Sequence, residues 1–149
     1  MAVYYLETSA LVKLYVREAG TERLLALAAA PNENRLTILA LAAIEFRSAV
    51  RRREKNGEIA SLVANQLIET FRRHQEGRYV IQIVTDFVLD VAASLVDRHA
   101  LRAFDAIQLA GYMVLKDSAE SDIPVFVCSD QALLMAAQHE GAPILDPCS

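Results

Sequence analysis

Residues Tyr4 to Tyr15 read YYLETSALVKLY, an apolar stretch rich in strand-forming residues that runs straight into helical periodicity, with a carboxylate, Glu7, at the junction. A strand handed directly to a helix is the first half of a β-α unit, so this stretch sets the expectation for the fold. The same alternation continues outward from it. VYYL, RLTIL, YVIQIV and VFVC are β-rich runs. The segments between them have helical spacing near Thr8–Tyr15, Thr21–Ala29, Leu41–Lys55, Glu58–Gln75, Asp86–His99, Ala103–Lys116 and Gln131–His139. Such alternation predicts an α/β fold of parallel strands joined by crossover helices, with APIL near the end as a short edge strand. Pro31, Gly57, Gly77 and Gly141 punctuate the segments as breakers should. With no internal repeat, low-complexity tract or linker, residues 1–149 read as a single domain.

Composition narrows the class. At 54% apolar residues the 149-residue chain has enough material for a substantial core. Its longest uncharged apolar runs, LTILALAAI and AIQLAGYMVL, are too short to span a bilayer, and the start lacks the basic-then-apolar order of a signal segment. A soluble, cytoplasmic protein with no membrane partner is expected. The net charge of −4 argues against nucleic-acid binding through bulk positive charge. An acidic protein can still cut nucleic acid, with its acids gathered around a metal and local basic patches on the phosphates.

Most of the 19 acidic residues fall on polar helix faces, where solvation accounts for them. Four do not. Glu7 follows the strand VYYL, Glu45 lies in LALAAIEFRSA, Asp105 in LRAFDAIQLA, and Asp130 follows VFVCS. Singly each has an ordinary reading: Asp105 and Asp130 as helix-start caps, Glu45 as a partner for an arginine, Glu7 as an exposed strand end. Jointly they suggest more. In an open parallel sheet the ligand crevice lies beyond the carboxyl ends of the strands, where Glu7 and Asp130 are expected, and a helix start can turn Asp105 to the same edge. Four carboxylates there would repel one another, each pair ~5 Å apart costing roughly 3 kcal/mol at an effective dielectric of 20. A divalent cation offsets that repulsion. Hard oxygen donors without His or Cys suit Mg²⁺ or Mn²⁺, and the chemistry such a site performs is phosphodiester hydrolysis by an activated water.

The motifs in this order resemble the PIN-domain family, and within it the VapC-type toxins of prokaryotic toxin–antitoxin pairs. YYLETSALVKLY is similar to the family's opening strand, acid and Thr-Ser; AAIEFRSA holds the second acid; LRAFDAIQLA and VCSDQALLMAAQHEG hold the third and fourth and are the more specific. The resemblance covers nearly the whole chain. It implies a three-layer α/β/α sandwich on a central parallel sheet and a Mg²⁺- or Mn²⁺-dependent ribonuclease. It also implies a homodimer and a small antitoxin protein reaching into the crevice. Glu7, Glu45, Asp105 and Asp130 correspond to the acidic quartet that binds metal and catalyses, with Thr8, Ser9 and Ser129 as polar neighbours that hold a ligand or water. One departure stands out. The family's first acid is ordinarily Asp, and Glu7 is one methylene longer. That change leaves open a second reading, a catalytically weak PIN fold that binds RNA or a partner protein.

The remaining chemistry-bearing residues have structural readings. A doubly wound receiver or nucleotide-binding domain is disfavoured, because there is no phosphate loop and no paired acid after the first strand. On the third predicted helix Ala42, Phe46, Ala49 and Val50 form the buried stripe. The basic run RRREK at its end is read as a solvated, dipole-favoured terminus, ahead of a phosphate-binding role. His74, His99 and His139 lie outside the acid motifs and are read as surface or helix-end residues. Cys128 is read as core, and Cys148 forms no metal or disulfide pattern with it.

Overall fold

The computed structural model of the chain describes residues 1–149. The five strands are β1 (Ala2–Leu6), β2 (Asn34–Leu39), β3 (Tyr79–Gln82), β4 (Val125–Val127) and β5 (Ile144–Leu145). The helices are α1 (Thr8–Leu11), continued by a 3-10 turn at Val12–Leu14, α2 (Thr21–Ala28), α3 (Ala42–Lys55), α4 (Ser61–Gly77), α5 (Asp86–His99), α6 (Ala103–Ser118) and α7 (Gln131–His139). All strand pairs are parallel and the order is β3-β2-β1-β4-β5. APIL does supply the edge strand, and YVIQIV pairs only through Gln82.

Alternation of side chains along the inner strands builds two cores, because successive residues of a strand point to opposite faces. Tyr5, Leu39, Phe126 and Cys128 pack with α5, α6 and α7 on one face. Leu6, Ile38 and Val127 pack with α1 to α4 on the other. The result is a three-layer α/β/α sandwich. The expected stripe on α3 is the observed one, with Ala42, Phe46, Ala49 and Val50 buried.

The helix expected over Glu58–Gln75 begins three residues later and runs on through Gly77. Gly57 takes a left-handed φ of 77° after the end of α3, and Ile59 packs against the second core before α4 can start. A helix begun at Glu58 would have to give up that apolar contact.

Gly111 sets the height of α6 above the sheet. A Cβ built there would come within 2.7 Å of Leu39 Cδ1 and 2.8 Å of the Tyr5 hydroxyl, so any other residue would force those side chains or the helix to shift. That close approach brings the first half of α6 over the carboxyl end of β1.

Candidate active site

All four singled-out acids stand at helix starts. Glu7 is the N-cap of α1, Glu45 lies in the first turn of α3, Asp105 in the first turn of α6, and Asp130 is the N-cap of α7. Three of these helices follow directly on β1, β2 and β4, which puts their starts at the carboxyl edge of the sheet. The fourth arrives there because Gln108, one turn along α6 from Asp105, donates to Thr8 Oγ1 at 3.1 Å and to Glu45 Oε1 at 2.7 Å.

Burial separates the acids. Glu7 is only 5% exposed, Glu45 and Asp105 are half-buried, and Asp130 is exposed. None of the four forms an ion pair; the carboxylates that do are Glu18, Glu22, Glu54, Glu69, Glu76, Asp122 and Glu140. Glu45 therefore has no arginine partner, and its bond comes from neutral donors.

Glu7 and Glu45 form a first pair. Glu7 Oε2 accepts from the Ser9 backbone N–H at 2.9 Å, from the Ser9 hydroxyl, and from Cys128 Sγ at 3.4 Å. Burial pushes the Glu7 carboxyl up from its ordinary value; the Ser9 and Cys128 hydrogen bonds pull back, and the Glu45 charge adds to the rise. Glu45 Oε1 accepts from the Thr8 hydroxyl at 2.8 Å as well as from Gln108. Behind them the buried Tyr5 hydroxyl donates to the Gln108 backbone carbonyl at 2.8 Å. Its phenol is raised by burial and then by both glutamates.

Asp105 and Asp130 form the second pair. Asp130 Oδ1 caps α7 by accepting from Leu133 N–H at 3.0 Å. Asp105 makes no hydrogen bond; burial first and the Asp130 charge second raise its carboxyl, against a smaller opposing pull from Arg102. Cys128 joins the pairs. Its sulfur accepts from the Asp130 backbone N–H at 3.4 Å and its S–H faces Glu7. Ser9 Oγ in turn accepts from the Ser129 backbone N–H at 2.9 Å.

The structure thus brings the singled-out residues into two neighbouring hydrogen-bonded networks, Glu7 with Ser9, Ser129 and Cys128 and Glu45 with Thr8 and Gln108, and sets Asp105 against Asp130. It does not bring three His, Cys, Asp or Glu side chains to a common point as metal ligands. In charge and donor type the residues suit a hard divalent cation. The four carboxylates form no ion pair, and the Cys128 thiol is pushed up by burial and by Glu7, so it is no soft anionic ligand. Gln108, Tyr5 and Cys128 are site residues that the acid motifs did not announce. The position of Gln108, three residues after Asp105 and so on the same helix face, was the available signal.

The histidines stay away from this edge. His74 Nδ1 bonds the Tyr15 hydroxyl at 2.8 Å, and His99 Nε2 bonds Glu140 at 2.7 Å. The basic run at the end of α3 is held by acids and amides, with Arg51 on Glu54 and Asn65 and Arg53 on Glu18.

The model of the PIN domain matches residues 4–112, which is most of the chain and includes three of the four acids. The chain belongs to the PIN domain family, whose members are generally nucleases. No curated protein sequence matches it. Among solved structures it is similar to a toxin–antitoxin complex from Klebsiella pneumoniae, at 15% identity and a TM-score of 0.64 over 97% of each chain. It is also similar to VapBC2 from Rickettsia felis bound to a DNA fragment from their promoter, at 11% identity and a TM-score of 0.64 over 96% of this chain and 97% of that one. PAE2754 from Pyrobaculum aerophilum follows at 21% identity and a TM-score of 0.60, over 96% and 89%. These likenesses concern the fold.

Proposed function

We propose that this chain is a Mg²⁺- or Mn²⁺-dependent ribonuclease and the toxin of a cytoplasmic toxin–antitoxin pair, with Glu7, Glu45, Asp105 and Asp130 as its metal-binding and catalytic acids. The observation that carries this reading is two carboxylate pairs, none of whose members forms an ion pair, at the carboxyl edge of a PIN-domain sheet. A bound divalent cation supplies Lewis acidity toward phosphate and lowers the pKa of water. The chain's own residues have the other tasks. Asp105 and Asp130, at the rim, would hold the cation, and Gln108 and Thr8 hold Glu45 in place. Ser9 and the Ser129 amide fix the turn that carries Glu7.

The partners follow from surface chemistry and from the neighbours. Ile44 and Phe104, each next in sequence to one of the acids, are 71% and 59% exposed. Apolar side chains of that size beside an acidic crevice suit an antitoxin segment, and two of the similar structures are a toxin–antitoxin complex and a VapBC2 assembly. Ile83, Phe87 and Leu89, exposed after the edge strand β3, suit a homodimer contact. No helix is long and apolar enough to cross a membrane.

A second reading has its own support. Glu7 is turned onto Ser9 and Cys128, and no three acids converge, as a catalytically weak PIN fold binding RNA or protein would have it. Incubation of the purified chain with structured RNAs in Mg²⁺, in Mn²⁺ and in chelator decides between them. Cleavage in either metal and none in chelator is expected; intact RNA in all three, with retained binding, selects the second reading.

A further inference from the structure

A cavity of about 850 Å³ lies nowhere near the acids. It is lined by residues at the amino ends of the strands, among them Leu36 and Tyr79, and so opens at the opposite edge of the sheet, a strand length of roughly 16 Å away. Nothing in the reading of the carboxylates accounts for it.

Its lining has two parts. Leu14, Leu25 and Leu36 supply an apolar floor. Against it stands a polar chain in which the Tyr15 hydroxyl bonds both Tyr79 Oη at 2.7 Å and His74 Nδ1 at 2.8 Å. With neutral His74 the order that satisfies every group is Tyr79 O–H to Tyr15 O, and Tyr15 O–H to Nδ1. This leaves the His74 Nε2–H as the chain's unused donor. Neutral His74 is favoured because burial and the nearby Arg78 and Arg73 charges all lower its pKa. Those same charges make the site electropositive. Arg35 and Arg78 line the cavity and no Asp or Glu does. The ion pairs of the chain engage Arg17, Arg51, Arg53, Arg72 and Arg98, so both lining guanidiniums are without a carboxylate partner.

An apolar floor, a few convergent polar groups and unpaired guanidiniums together define a small-molecule pocket. The geometry points to a second binding site, distinct from the nuclease edge, for a small organic anion with an aromatic body. The body lies on the leucines and beside Tyr79, and its carboxylate or phosphate is held by Arg35 and Arg78.

The probe is 2-naphthoate, titrated calorimetrically into the full chain, with 2-naphthamide as the same ring system without the charge. Saturable one-to-one binding of naphthoate is expected. Naphthamide should bind at least about tenfold more weakly, and the double variant Arg35→Gln, Arg78→Gln should lose naphthoate affinity by at least about the same factor, since a hydrogen bond to a charged group is involved. Both arginines are exposed, so the variant should fold like the parent. In proton spectra the His74 ring resonances should move on binding while those of His99 and His139 stay. Absence of saturation, equal binding of the amide, an unaffected double variant, or a still His74 would each overturn the site.

Discussion

Glu7 and Glu45 are held by protein donors, whereas Asp105 and Asp130 stand at the rim with one cap bond between them. Both pairs occupy the same sheet edge and both repel internally, yet they manage the repulsion differently. The inner pair distributes its charge into Ser9, Thr8, Gln108 and Cys128, all neutral donors. The outer pair is left largely to solvent: Asp105 accepts no hydrogen bond and has only a minor pull from the Arg102 charge. The difference teaches a division of labour: the inner acids are part of the folded structure, and the outer acids are free to meet something that arrives from outside.

The largest expected effect tests the outer pair. Asp105→Asn keeps size and polarity and removes a charge that no protein group hydrogen-bonds or pairs with. Metal-dependent RNA cleavage should fall by on the order of 10²–10³-fold or be abolished, as when one electrostatic stabiliser is removed from an active site. The melting temperature should not drop. Parent-rate cleavage by the purified variant in Mg²⁺ or Mn²⁺ would remove Asp105 from the site.

Next comes the inner pair's unusual member. Glu7→Asp retains an N-cap of the preferred kind for α1 but shortens the arm that now reaches back to Cys128. If the extra methylene is what turns the carboxylate inward, the variant should cleave faster or need less metal, by up to about a hundredfold, the scale on which an ångström of misplacement acts. Rates and metal dependence unchanged in both Glu7→Asp and Glu7→Gln would place residue 7 outside the chemistry altogether.

A third substitution asks whether the inner network is structural. Gln108→Leu removes the donor that serves Glu45 and Thr8 and leaves their oxygens buried with fewer partners, a loss of about 1–3 kcal/mol. For a domain of this size that is a fall of several degrees in melting temperature, roughly 2–4 °C per kcal/mol. The contrast with Asp105→Asn is the point: equal melting curves for the two variants would erase the distinction between the pairs.

Much of this was legible before the fold was known. The strand–acid–helix junction at Glu7 and the β-α alternation specify parallel strands, and a parallel sheet then dictates which edge the acids after β1 and β4 must occupy. The burial of Glu7 and the exposure of Asp130 were not legible. Both follow strands, but Glu7 follows the central strand beneath α6, and Asp130 sits nearer the sheet's β5 edge. Strand order depends on contacts between segments distant in sequence, which local periodicity does not encode. Gln108 was missed for a related reason: a lone glutamine on an apolar helix carries no charge to demand explanation, and its role exists only once Gly111 lets α6 descend onto β1. Cys128 was correctly read as core, but its contact with Glu7 comes from the strand pairing of β1 with β4.

The smallest expected effect is a difference of slopes with pH, measured in chelator. Glu7 is raised above its ordinary value of 4.5 and Asp105 above 3.8, both mainly by burial. A carboxyl with a raised folded-state pKa binds its proton more tightly when folded, so its stabilising contribution is complete below the unfolded pKa and is lost as pH rises through the folded one. Glu7→Gln stays neutral at every pH, and its amide oxygen can still accept from Ser9 N–H. The melting temperature of this variant relative to the parent should therefore increase between pH 4 and pH 7. Asp105→Asn should show the same sign with a shallower slope, because its carboxyl is the more solvated of the two. A difference that is flat with pH for Glu7→Gln, or steeper for Asp105→Asn, would mean that the inner pair is no more committed to the folded structure than the outer one.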